Sequence, residues 1–131
     1  MSFKTDFAAV LKRAGDKADL VVRKSAIDLG KSLIQMSPVD TGRFRGNWQF
    51  GISAIDQATN SPPDQGGGTS NGRLVTKIGS WRWGEIIYLT NSLSYARRLE
   101  YGWSKQAPAG MVRVTVANFE RHLQNQIGGL P

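Results

Sequence analysis

The chain has 131 residues, enough for one hydrophobic core and too few for two comfortable ones. It has no cysteine, which excludes disulfides, a thiolate nucleophile and zinc–thiolate sites, and it agrees with assembly in a reducing cytoplasm. The formal net charge of +7 suits polyanions, whether nucleic acid or acidic protein surfaces, or serves solubility alone.

The first residues, Met1 to Asp6, lack the charged-then-apolar build of a signal peptide, and no apolar run approaches the ~20 residues of a membrane span. Residues 5–36 predict a long helix. Leu11, Ala14, Ala18, Val22, Ala26, Leu29, Leu33 and Met36 recur at helical spacing, and Leu20, Ile27 and Ile34 add a second stripe. So wide an apolar face suits burial on two sides, by the chain's own sheet and by a neighbouring subunit, or else a deeper core in one domain. Gly15 costs roughly 1 kcal/mol against Ala inside a helix, so a kink or break is expected near Gly15 and Asp16. Pro38 disfavours helical geometry at Ser37 and ends the helix.

Residues 44–55 alternate. Phe44, Trp48, Phe50, Ile52 and Ala54 share one face, and Arg45, Asn47, Gln49 and Ser53 the other. That period predicts a half-buried antiparallel strand with Gln49 on the solvent side. Residues 56–73 carry almost no apolar side chain, too little to offset their ordering entropy, and read as a long mobile loop. Gly66, Gly67 and Gly68 are not a phosphate loop, because no Lys-Ser/Thr follows. Leu74 to Gly79 reads as a strand, Ser80 to Gly84 as a turn with exposed aromatics, and Glu85 to Asn91 as another strand. Ser92 to Tyr101 predicts a short helix capped by Gly102. Gln106 to Gly110 is a loop, and Met111 to Ile127 a final helix. The whole is expected to be a single α+β domain over residues 1–131: a long N-terminal and a C-terminal helix packed on a small, mostly antiparallel sheet.

Chemistry is sparse. His122 is the sole histidine and sits on the polar side of the last helix. No metal or cofactor site is expected. Asp40 and Glu100 form the one carboxylate pair worth testing for acid–base work. Asp40 more simply bonds backbone NH groups in the turn before Gly42, and Glu100 suits pairing with Arg43, Arg97 or Arg98. An enzyme is not expected. Arg43, Arg45, Arg97 and Arg98 become concentrated at one end of the domain if residues 37–43 and 91–102 meet. Arginine forks suit phosphate and carboxylate alike, so DNA and acidic neighbouring subunits both remain open. There is no helix-turn-helix signature for reading DNA sequence.

Those two segments also carry a resemblance. A helix, then SPVDTGRFRGNW at residues 37–48, a strand, YLTNSLSYARRLEYG at 88–102, QAPAGM at 106–111 and a last helix resemble the tail-completion and neck proteins of tailed bacteriophages. This is the group named after gene product ten of phage HK97, which includes the lambda-type minor tail protein Z. Its first motif is usually Pro-Val-Asp-Thr-Gly-Arg-Leu; its second is Asn, then Pro-Tyr-Ala, then Glu-Tyr/Phe-Gly. The matching turn residues here are Pro38, Asp40, Thr41, Gly42, Arg43, Tyr95, Ala96, Glu100 and Gly102. The resemblance spans residues 5–127 with an insertion near 56–72. Ser94 stands where the family often has Pro, and Trp103 where a small residue is common. The resemblance implies a structural virion protein of the neck or head-proximal tail, assembled in the host cytoplasm. It implies a homo-oligomeric ring around the DNA channel, with six copies by tail symmetry and twelve as the alternative. Other neck proteins, a tail terminator or the tail tube would be partners, with non-specific contact to packaged DNA. The alternative is a basic nucleic-acid-binding protein acting without a virion.

Overall fold

The computed structural model describes residues 18–102 together with Lys12, residues 105–107, residues 110–112 and Thr115. The fold is α+β. In chain order it runs α1 (Ala18–Met36), α2 (Arg43–Gly46), β1 (Gln49–Ile52), α3 (Gly68–Gly79), β2 (Ile87–Thr90) and α4 (Ala96–Glu100). The sites expected for the Gly15 kink and His122 lie outside the described residues, as does most of the final helix. Its opening is described: Thr115 N donates to Met111 O at 2.9 Å. Among the described residues no helix is long and apolar enough to cross a membrane.

The core sits between α1, α3 and the sheet. Leu33 and Ile34 of α1, Leu74 and Ile78 of α3, and Phe44, Trp48, Phe50 and Leu93 are buried together. Both stripes of α1 take part from Ala26 onward, with Ile27, Leu29 and Met36 packed against this cluster. From Ala26 onward the apolar face is thus largely covered by the chain itself, whereas Leu20 is exposed. Gly30 lets α1 and α3 approach closely, since a Cβ there would stand 2.6 Å from Leu74 Cδ1.

β1 and β2 pair antiparallel, with Gln49 opposite Thr90 and Phe50 opposite Leu89. This sheet of two strands is smaller than the three expected. The strand predicted over 44–55 is confined to 49–52, because Gly42 to Gly46 turns helically before it. The strand predicted over 74–79 is instead the second half of α3. Leu74 and Ile78 are spaced by four and face α1, a helical pattern that the β-branched Val75 and Thr76 obscured.

The segment that the sequence predicts to be a mobile loop folds differently. Residues 68–73 open α3, and the stretch before them lies across the outer side of β1. Asn47 Oδ1 accepts Ser61 N at 3.0 Å, and Asn47 Nδ2 donates to Ser61 O at 3.3 Å. Gln49 Nε2 donates to Ala58 O at 3.2 Å and Ser61 Oγ at 2.9 Å. Gln49 is therefore buried and not on a solvent face. Polar side chains of β1 supply the partners that apolar packing does not. The Asp64 carboxylate then caps α3, taking Gly67 N at 3.0 Å and Ser70 N at 2.7 Å. Partial burial opposes its ionisation, but the NH groups of Ser70 and Gly67, the Ser70 hydroxyl and the nearby Arg73 charge outweigh that, so its pKa lies below the ordinary aspartate value.

Trp81 is buried, which corrects the expectation of two exposed aromatics in this turn; Trp83 is exposed.

Candidate functional site

Residues 37–43 leave α1 and turn sharply. Ser37 Oγ donates to Leu33 O at 2.6 Å and accepts the Trp48 indole NH at 2.7 Å, which fixes the helix end to the core aromatic. Pro38 is buried, while Asp40 and Thr41 face solvent. The turn bond expected of Asp40 comes from its neighbour: Thr41 Oγ1 accepts Arg43 N at 3.2 Å. Gly42 has φ 89°, and a Cβ there would stand 2.6 Å from Gln65 N, so the position needs glycine on two grounds. Its carbonyl accepts both Gly46 N and Asp64 N at 2.9 Å.

Residues 91–102 form the facing corner. Asn91 Nδ2 donates to Phe44 O at 2.9 Å, and Leu93 N donates to Asn91 Oδ1 at 3.3 Å. The Tyr95 ring lies 6.0 Å from that of Phe44, and the Arg43 guanidinium lies 5.8 Å from the Tyr95 centroid. α4 ends at Glu100, and just past it Gly102, with φ 86°, gives the left-handed closure that the sequence predicts. Glu100 Oε1 accepts Met111 N at 2.7 Å and Val112 N at 2.8 Å, so it holds the start of the last segment.

The two motifs therefore touch. A small cleft of about 240 Å³ between them is lined by Asp40, Arg43, Phe44, Tyr95, Leu99 and Gln106. Gln106 acts as a clasp: its Oε1 accepts Val39 N and its Nε2 donates to Val39 O, both at 2.8 Å. Gln106 and Asn91 lie in the segments that carry the resemblance, yet neither is among the turn residues matched there. As amide side chains flanking apolar turns they give no sign in the sequence of which backbone groups they bond.

The four arginines do not share one role. Arg45 turns inward, with Nη1 donating to Gln65 O at 2.6 Å and Nη2 to Gln35 O at 3.0 Å and Ser37 O at 3.1 Å. It neutralises carbonyls at the C-terminal end of α1, where a cation is electrostatically favoured. Arg43, Arg97 and Arg98 are exposed. Arg97 and Arg98 border a shallow depression of about 590 Å³ with Ser94, Tyr101 and Gly102. The corner is a rigid scaffold with a cationic outer surface. Asp40 is exposed, whereas Glu100 is engaged with backbone NH groups. Among the described residues no group of three or more His, Asp or Glu side chains is placed to hold a metal ion.

No protein-family model, curated protein or solved structure matches the chain.

Proposed function

We propose that this chain is a structural virion protein of a tailed phage or prophage, acting at the neck or head-proximal tail to complete the tail or join it to the head. It works as a ring-forming subunit around the DNA channel, through interfaces and not through catalysis. One observation carries the reading: residues 37–43 and 91–102 lock into a single corner through Gln106, Asn91, Phe44 and Tyr95, and that corner turns Arg43 and carries Arg97 and Arg98 outward. A rigid turn pair of this kind positions an interaction surface without forming a reaction pocket. The resemblance of the same two segments to neck and tail-completion proteins supports it.

The test is the double substitution Arg97→Glu with Arg98→Glu. Exposed charges contribute little to stability, so far-UV circular dichroism of the monomer should be unchanged. Like charges placed in an interface or facing DNA repel, so yield of infectious particles should collapse. Normal particle yield and normal DNA delivery would refute the role of these arginines. Unimpaired virion assembly after deletion of the whole gene would refute the neck reading. Tight binding of short duplexes by the isolated chain, steeply weakened by salt, would favour a nucleic-acid-binding protein instead.

A further inference from the structure

β1 has an edge that β2 does not cover. Ser53 N donates to Ile86 O at 2.7 Å, in the same register that sets Gln49 opposite Thr90. Bonded and non-bonded pairs alternate along an antiparallel ladder, so Gln49 and Gly51 bond across to β2 as Ser53 does. Phe50 and Ile52 stand at the non-bonded pairs and turn their NH and C=O groups the other way. Trp48 has the same parity and shows what lies on that side. Its carbonyl accepts Arg73 Nη1 from α3 at 3.2 Å, and Gly46 O accepts Arg73 Nη2 at 2.7 Å. A side chain of α3 thus brings to Gly46 and Trp48 the donors that a further strand would bring. Farther along, the outward groups of Phe50 and Ile52 have no hydrogen-bond partner among the described residues.

A cleft of about 860 Å³ runs between this edge and α3. Gln49, Phe50 and Asp56 line one wall, and Gly72, Thr76 and Lys77 the other. The helix wall is open at its middle, since a Cβ on Gly72 would meet no atom within 4 Å. The volume falls within the ~300–1,000 Å³ of clefts that hold ligands. Lys77 and Asp56 are exposed on opposite walls, so charge does not select the occupant.

The backbone groups do select it. Phe50 and Ile52 each offer one donor and one acceptor, about 7 Å apart along the strand. An anion takes the NH groups alone and is repelled by the carbonyls. An extended main chain satisfies both. We infer that the cleft binds an extended peptide segment of a partner protein, which adds to β1 as a third strand. Because α3 stands across from β1, the entering segment is flanked on both sides. It therefore comes from a chain free of its own sheet, whereas β1 and β2 of a second copy are already paired with each other. The inference goes beyond the function proposed above and does not rest on it.

The test selects binders to the full chain from a displayed library of short random peptides. Gly72→Trp fills the cleft and Gly72→Ala leaves it open; neither residue is a worse helix former than glycine, so circular dichroism should show both variants folded. Selected peptides should bind wild type and Gly72→Ala alike and lose binding to Gly72→Trp. Ile52→Pro deletes an outward NH that β2 does not use, and should weaken binding about tenfold, the worth of one hydrogen bond; Ile52→Val should not. Bound peptide should slow amide exchange at Phe50 and Ile52. A library that yields no binder, binders indifferent to Gly72→Trp, or binding that leaves exchange at Phe50 and Ile52 unchanged would each overturn the inference. So would self-association of wild type that Gly72→Trp abolishes in sedimentation velocity, since the occupant would then be a second copy. The particle assay tests the neck reading separately from all of these.

Discussion

Removing the Asp64 carboxylate should destabilise the fold well beyond an ordinary surface substitution. The carboxylate holds two backbone donors, Gly67 N and Ser70 N, and both residues are buried. Hydrogen bonds to charged groups contribute about 1.5–3 kcal/mol each, and a buried donor left bare costs a similar amount. Loss of a helix cap alone costs about 0.5–2 kcal/mol. These figures describe overlapping effects, so Asp64→Ala is expected to cost about 2–4 kcal/mol. With a mid-range urea slope of about 2 kcal/mol per molar, the unfolding midpoint should fall by about 1–2 M. Intrinsic fluorescence of the four tryptophans supplies the assay. The pH dependence sharpens it. The folded pKa of Asp64 is lowered, so its contribution is complete above the unfolded value of ~3.9 and is lost as pH falls through the folded value. The deficit of Asp64→Asn, which keeps the shape but not the charge, should therefore be constant between neutral and mildly acidic pH and shrink below about pH 4. Equal midpoints for wild type and Asp64→Ala at neutral pH, or a deficit of Asp64→Asn indifferent to acid, would refute the capping role.

Two further substitutions test the packing by the same urea titration. Trp48→Ala should cost about 3–5 kcal/mol as a buried aromatic truncated in a core, and Gln49→Ala about 1–3 kcal/mol, because it strands Ala58 O and a hydrogen bond of Arg73. Gly42→Ala should lower the melting temperature, since left-handed backbone costs a side-chain-bearing residue roughly 1–2 kcal/mol and the added Cβ displaces the chain at Gln65.

What could be read from the sequence was what local rules control. The helix stop before Pro38, the strand at 87–90 and the short helix closed by Gly102 follow from proline geometry, β-branched residues and a left-handed cap. α3 escaped because Gly68, Thr69, Asn71 and Gly72 are poor helix formers and its cap, Asp64, lies before a run of glycines where capping rules do not look. Gln49 escaped for a different reason. Alternation assigns faces to a strand but cannot say what covers the outer face, and here a polar segment does so by hydrogen bonds. The candidate corner was legible as two turns, and Arg43, Arg97 and Arg98 as outward cations. Arg45 was not, since only the folded chain brings Gln35 O, Ser37 O and Gln65 O around it.

That inward arginine changes what the formal charge means for a polyanion. Arg73 behaves likewise: its guanidinium donates to Gly46 O at 2.7 Å and Trp48 O at 3.2 Å and lies 5.7 Å from the Phe50 centroid. Both cations add to the distant field, yet both guanidinium groups are already bonded to backbone carbonyls. Counterion release scales with phosphates contacted, at about 0.9 per phosphate on duplex DNA. From this corner only Arg43, Arg97 and Arg98 would register in the salt slope. If the proposed channel role holds, this corner would grip DNA only loosely at each copy, which suits a surface past which a duplex must slide.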